Sequence, residues 1–403
     1  MCHPERSEGS PRDDTVRLEY TERQKAFRAE IRDWLKASVP REPLQSFDTQ
    51  EGFEQHRQWE AKLFSGRWSA VTWPKDMGGR GCDLIEWLVF EEEYWAAQAP
   101  LRVNQNGVFL LAPTLMEFGT AEQKARFLPR MAAGEDIWAQ GWSEPGAGSD
   151  LAAIRSKAER DGDHYVLNGQ KTWSTRAVWA DWLFGMFRSD PASQRHHGLT
   201  FLLLPLKSKG ITIRPIRQLN GMTGFAEIFF DNVRVPVANR LGEEGAGWNI
   251  AMATAGFERG LMLRSPGRFQ QTAKNLIELY LRHRATADQD PSLRDAVIKS
   301  WMDAEAYALA TYSTASRLAR GGQIGAEAST NKIVWSELDL LMHETAMRIL
   351  GPRAELMPNA PDAGDIGHWL DGFLFAQAGP IYAGTNEIQR NIIAERMLGL
   401  PRA

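Results

Sequence analysis

The segment Trp142-Ser143-Glu144-Pro145-Gly146-Ala147-Gly148-Ser149-Asp150 is the stretch of this chain best suited to hold a ligand. Two glycines and a proline among small residues make a loop whose backbone N–H groups can approach a bound molecule closely, and Ser143 and Ser149 add hydroxyls. Composition alone equally allows a tight connection between two elements. The segment is neither a Gly-x-Gly-x-x-Gly fingerprint nor a phosphate loop ending in Gly-Lys-Ser/Thr, so no Rossmann-type site is indicated. Of its carboxylates, Glu144 precedes a proline in a turn and suits a structural role. Far downstream Glu258 adjoins Arg259, a pairing that by itself reads as an exposed helix ion pair. Trp173, taken alone, reads as a cross-strand aromatic of a half-buried sheet.

Other reactive residue types carry less. His196-His197 sits in a polar stretch without carboxylate or cysteine partners at ligand spacing, so no metal site is expected and a solvated loop is. Glu91-Glu92-Glu93 reads as a solvated helix face. Cys2 and Cys82 are the two cysteines, too few for a disulfide framework or a thiolate metal site, and a reducing, cytoplasmic setting is expected. Lys plus Arg number 47 against 51 Asp plus Glu, a net charge of −4, which does not suggest a surface for nucleic acid or anionic membrane. No window approaches ~18 consecutive apolar residues. Residues 1–14 lack the apolar core of a signal peptide and read as a short disordered leader.

The elements that must position these residues follow from periodicity. A length of 403 residues, at ~150 per domain, suggests two to three domains. Residues 15–137 read as helical: Phe27, Ile31, Trp34 and Leu35 share one face, and helices are expected over Phe53–Leu63, Leu84–Trp95, Val108–Phe118 and Ala121–Ala132. Residues 138–243 read as a β domain with strands His164–Leu167, Lys171–Thr175, Trp182–Phe187, Leu199–Leu204, Ile211–Ile216 and Glu227–Phe230. Asn168-Gly169 suits a type I′ hairpin between the first two. Strands at short spacing without intervening helices indicate an antiparallel sheet or small barrel. Residues 244–403 return to helical period, with stripes Val297-Trp301-Ala304-Ala308 and Val334-Leu338-Leu341, as in a bundle. The fold class is mainly α with an inserted antiparallel β domain.

At this point the chain resembles the acyl-CoA dehydrogenase family. Ser143-Glu144-Pro145-Gly146-Ala147-Gly148-Ser149-Asp150 is similar to the family signature, and Asn168–Thr175 to its flavin-facing hairpin. Phe257-Glu258-Arg259-Gly260 resembles the start of the helix after the β domain, and Ile381–Arg390 the C-terminal motif. The likeness runs in order from about residue 20 to the end. It implies a helical domain, a β barrel or sandwich and a C-terminal four-helix bundle, with FAD between them. The implied reaction converts an acyl-CoA thioester to its trans-2-enoyl-CoA, with electrons passed to an electron-transfer flavoprotein.

The resemblance also implies roles. Ser143, Trp173 and Thr175 would face the flavin ring, Thr385 and Glu387 the ribityl or ADP portion, and Ser149 and Arg259 the substrate. Donors near the flavin tune a cofactor by stabilising its reduced form. Many members carry a Glu base where this chain has Ala383, whose methyl cannot accept a proton. Members acting on branched or long acyl chains instead place a Glu before an Arg after the β domain, which assigns the base to Glu258. The backbone N–H of Ala383 would still stabilise the thioester oxygen. After Leu281 the family's Arg-x-x-Phe-Gly is replaced by Arg282-His283-Arg284-Ala285-Thr286. The partner is therefore expected to be either a homo-oligomer or a heteromer with a second acyl-CoA dehydrogenase-like subunit, as in the bacterial subgroup acting on bulky acyl-CoAs. Alternatives on the same fold are a flavin-dependent oxidase or monooxygenase, and a non-catalytic partner or DNA-associated flavoprotein. A peroxide assay separates the first, whereas the retained motifs and lack of a basic C-terminal run speak against the others.

Overall fold

The computed structural model describes residues 19–259, 265–322, 324–357, 360–363 and 366–401, with the side chains of 257–259 outside the description. The expected leader, residues 1–14, lies outside the described residues. A helical lobe comes first, with α1 (Glu22–Ser38), α2 (Gln50–Ser65), α3 (Leu84–Ala96), a π-helical turn at Asn106–Leu111, α4 (Ala112–Phe118) and α5 (Ala121–Ala132). Capping boxes start α1, α3 and α5 at Thr21, Asp83 and Thr120, each answered three residues later by Gln or Glu.

Helix α3 is buried nearly all round, and this overturns the expectation for Glu91-Glu92-Glu93. Glu91 and Glu93 are buried and Glu92 is partly so. Arg28 of α1 reaches Glu92 at 2.6 Å and Glu93 at 3.0 Å, and Arg32 reaches Glu93 at 2.8 Å. Tyr312 donates to Glu92 at 2.5 Å. Partners more than sixty residues away pull the acidic run inward, which a local charge pattern does not show. Burial pushes the Glu91 carboxyl up to about 7 against opposing hydrogen bonds and the Arg102 charge.

The β region has strands β1 (Trp138–Gly141), β2 (Lys157–Asp161), β3 (His164–Thr175), β4 (Trp182–Arg188), β5 (Leu199–Pro205), β6 (Ile211–Ile216), β7 (Phe225–Pro236) and β8 (Arg240–Leu241). The sheet order is β6-β7-β3-β2-β4-β5-β8, with β1 beside β4. Pairing is antiparallel except for β1–β4 and β2–β4. Side chains alternate across it: Phe184 and Phe201 join a core with Leu111, Leu115 and Phe127, whereas Leu183, Phe187 and Leu202 join one with Tyr165, Ile228 and Val233.

The hairpin expected at Asn168-Gly169 is not there. His164–Thr175 is one strand, and its hairpin with β2 turns at Gly162-Asp163, where Gly162 has φ +61°. Gly169 instead marks a register shift against β7. A Cβ at Gly169 would stand 2.7 Å from the Ser156 Cα, so close backbone approach, not a turn, demands glycine.

Helices α6 (Gly247–Arg259), α7 (Pro266–Arg282), α8 (Arg284–Ala287), α9 (Pro291–Ala319), α10 (Ala328–Leu350), α11 (Gly367–Ala376) and α12 (Asn386–Ile392) follow. Phe269, Leu276, Leu338, Met342, Ile349 and Trp369 form the bundle core. Of the two expected stripes, Val297, Ala304, Ala308 and Leu338 are buried, whereas Trp301 is 49% exposed and Val334 38%; Tyr307 and Trp335 are buried instead. Among the described residues no helix is long and apolar enough to cross a membrane.

Candidate active site

The Ser143–Asp150 loop folds back on itself. Glu144 and Ala147 exchange both backbone hydrogen bonds at 3.0 Å across Pro145-Gly146, and the Thr172 N–H donates to the Ser143 carbonyl at 2.9 Å. Beneath the loop Glu144 accepts from Lys171 Nζ at 2.8 Å, from the Arg155 N–H at 2.6 Å and from the Ser156 N–H at 3.0 Å. Lys171 is fully buried and also reaches the Trp142 carbonyl at 3.3 Å. Burial alone would raise the Glu144 carboxyl, but the Lys171 charge and these hydrogen bonds outweigh it and hold the group below its usual range. Glu144 is therefore a structural carboxylate, as its place before a proline suggests.

The same stretch of β3 carries a bulge. Lys171 pairs with Ile228 and Ser174 with Ala226, so Thr172 and Trp173 oppose Glu227 alone. Trp173 sits there at φ +57° and is 59% exposed, with an edge contact to Phe225 at 6.1 Å. A left-handed conformation costs an L-residue roughly 1–2 kcal/mol. Such strain, together with a large ring left in the open, is the mark of a residue held for a partner. Thr175 is half-buried two residues on. The hydroxyls of Ser143 and Thr175 bond none of the described residues.

A second locus lies at the C-terminal motif. Ala383 and Gly384 are both left-handed, at φ +58° and +79°, and their N–H groups donate to none of the described residues. Thr385 caps α12, its hydroxyl oxygen accepting the Ile388 N–H at 3.2 Å. Glu387 is exposed in the first turn; bonding to its own N–H and to the Thr385 hydroxyl holds its carboxyl below the usual range. Two residues absent from the sequence assignment support this locus, namely Lys332 and Gln389. The latter lay inside the C-terminal motif; Lys332 gave no signal, being one lysine on a helix.

The structure thus gathers Ser143, Trp173 and Thr175 around one bulge, and Ala383, Thr385 and Glu387 around one loop. Asn220 after β6 donates to Asp371 of α11 at 2.6 Å, joining the β region to the C-terminal helices. Ser149 is exposed on the loop, beside an Asp150–Arg195 ion pair at 2.9 Å. Glu258 and Arg259 occupy the last turn of α6, and their side chains lie outside the description. Arg284, in the stretch that replaces Arg-x-x-Phe-Gly, pairs with Asp288 at 2.9 Å. His196 packs against Trp248 with ring centroids 4.3 Å apart.

Family models for the acyl-CoA dehydrogenase N-terminal, middle and C-terminal domains match residues 21–135, 139–233 and 245–398. The chain is 40% identical over 383 residues to acyl-CoA dehydrogenase IpdE1 of Mycobacterium tuberculosis (strain ATCC 25618 / H37Rv), which covers 93% of this chain and 97% of that protein. Among solved structures, the Tcur3481-Tcur3483 steroid ACAD is similar at TM-score 0.85 and 27% identity, covering 96% of this chain and 100% of that one. The ChsE4-ChsE5 complex from Mycobacterium tuberculosis is similar at TM-score 0.81 and 33% identity, over 96% and 100%.

Proposed function

The chain belongs to the acyl-CoA dehydrogenase family, and from that premise we propose that it oxidises a branched, ring-bearing or otherwise bulky acyl-CoA to the trans-2-enoyl-CoA, using FAD and passing electrons to an electron-transfer flavoprotein. The observation that carries the reading is Trp173, an exposed ring on a strained bulge beside two hydroxyls with no bond to the described residues. That donor set and apolar face fit a planar heteroaromatic ring system rimmed with acceptors. FAD, when bound, supplies the acceptor for the hydride that leaves the β carbon.

The chain's own residues do the rest. Glu258 takes the α proton, since Ala383 has no group to accept it. The Ala383 N–H donates to the thioester oxygen, where charge develops as the α proton leaves; such a donor acts on the transition state more than on the bound substrate. Arg259 and Ser149 bind the acyl-CoA. Ser143, Trp173 and Thr175 hold the flavin ring, and Thr385 with Glu387 its ribityl or ADP end.

Bulky substrate preference is supported by the methyl at position 383, which takes less room than the carboxylate side chain many family members carry there. It is supported too by the similar structure described as a steroid ACAD. The two similar structures named for pairs of chains favour a heteromer with a second acyl-CoA dehydrogenase-like subunit. An anaerobic panel of acyl-CoA thioesters, scored by flavin bleaching with and without such a subunit, tests this. Faster bleaching by a ring-bearing or branched acyl-CoA than by butyryl-CoA is expected. A protein colourless after reconstitution with FAD and partner contradicts the proposal, and stoichiometric peroxide in air contradicts the electron acceptor.

A further inference from the structure

We propose that Lys332 and Gln389 are positioning residues that together aim the Ala383 N–H at the thioester oxygen. The inference rests on the role given to that N–H above. Lys332 lies on α10 and is 2% exposed, an expensive place for an ammonium unless it is bonded. Its Nζ donates to the Gly379 carbonyl at 2.8 Å and to Asn386 Oδ1 at 2.7 Å. These two residues stand at opposite ends of the loop that carries Ala383. Ser336, one turn along α10, also donates to Asn386 Oδ1 at 3.2 Å, and the Asn386 N–H closes on the Pro380 carbonyl at 2.8 Å. One helix therefore pins the base of the loop.

Gln389 pins its tip. It is fully buried in α12, and its Nε2 donates to the Ala383 carbonyl at 3.3 Å and the Gly384 carbonyl at 3.2 Å. Successive left-handed residues send carbonyls to one side and amides to the other, as a helix does. A trans peptide sets each carbonyl opposite the next residue's N–H, so holding the Ala383 and Gly384 carbonyls fixes the two peptide planes that follow Ala383, and the Ala383 N–H is set from them through the left-handed φ of Ala383, where it bonds none of the described residues. Gly384 is required by this arrangement, because a Cβ there would stand 2.5 Å from Gln389 Nε2. The left-handed Ala383 persists because these contacts over-determine it.

A donor fixed in this way needs no reorganisation as the enolate forms, and displacement by about an ångström can cost on the order of 10²-fold in rate. The test uses the FAD-loaded enzyme with its partner subunit and 3-thiaoctanoyl-CoA, whose α carbon can be deprotonated while sulfur at the β position prevents hydride loss. Exchange of its α protons with D2O, followed by mass spectrometry, reads enolisation apart from oxidation. Gln389→Met should slow exchange at saturating probe by about 10- to 100-fold, with the dissociation constant of the probe and the melting transition little changed. Exchange within twofold of the parent in a folded Gln389→Met enzyme overturns the proposal.

Gln389→Glu keeps the shape and decides the matter if Gln389→Met does not fold. Protonated, the new carboxyl can still donate to a carbonyl; ionised, it repels both. Its exchange rate should fall as pH rises through the titration of that carboxyl while the parent's does not, and a profile parallel to the parent's overturns the proposal. Absence of any exchange in a parent that binds the probe contradicts the proposed enolisation itself, base and oxyanion donor together, an outcome distinct from failure of the clamp.

Discussion

The β3 bulge and the C-terminal loop each hold a non-glycine residue at positive φ above a buried lysine, yet they present different things. At the bulge the strained backbone puts a side chain on display, the 59% exposed ring of Trp173. At the loop, strain at Ala383 presents the backbone, and the side chain is incidental. Lys171 answers a carboxylate at 2.8 Å, whereas Lys332 reaches a carbonyl at 2.8 Å and an amide oxygen at 2.7 Å. On the proposed function the difference accounts for alanine at position 383: a role resting on an N–H survives loss of a carboxylate that a role resting on a side chain would not. The same proposal separates proton removal from oxyanion binding and leaves the former to another segment.

The largest effect should come from breaking the support of the first region. Lys171→Met leaves Glu144 buried without its cation and should cost about 3–5 kcal/mol of unfolding free energy, read by chemical denaturation. The pH dependence sharpens this. Glu144 has a carboxyl held below its ordinary value of 4.5, so its contribution is present above that value and lost as pH falls through the lowered one. In Lys171→Met the burial penalty is opposed by the Arg155 and Ser156 N–H groups without the lysine, so acidification should weaken the site less than in the parent.

Trp173→Asn separates display from stability. Asparagine accepts the left-handed conformation, so unfolding free energy should hold or rise by up to ~1 kcal/mol, while FAD affinity, measured by fluorescence titration, should fall about tenfold with loss of the aromatic contact. A loss of stability with intact FAD affinity would assign the ring to the fold instead. At the second region Thr385→Ala removes the α12 cap, with a smaller expected cost of ~1 kcal/mol. Retained flavin binding there would limit Thr385 to its capping role.

The helical and β stretches were legible because a 3.6-residue period and short β-branched runs report burial directly, as with Ile31 and Leu35 or Leu199–Leu204. The bulge at Trp173 was not, since no pattern marks a tryptophan for positive φ. The Asn-Gly signal at 168 and 169 pointed to a turn because conformational permission and steric demand both select glycine, and only the Ser156 contact tells them apart. Glu91 and Glu93 escaped because Arg28, Arg32 and Arg102 approach them from other elements. Ser143, Trp173 and Thr175 stand in one neighbourhood, joined by the Thr172–Ser143 bond across about thirty residues, which their separation in sequence does not reveal. Lys332 and its hold on Asn386 depend on a contact across 54 residues, which spacing does not reveal.

The central claim is that the carboxylate missing at position 383 is replaced from the end of α6. Glu258→Gln keeps shape and hydrogen-bonding capacity while removing the base, so the decisive measurement is the rate of flavin reduction by the best acyl-CoA in that variant. FAD and acyl-CoA should bind as in the parent, and reduction should slow by at least ~10²-fold. Reduction at a near-parental rate would contradict the account and return the proton to another carboxylate.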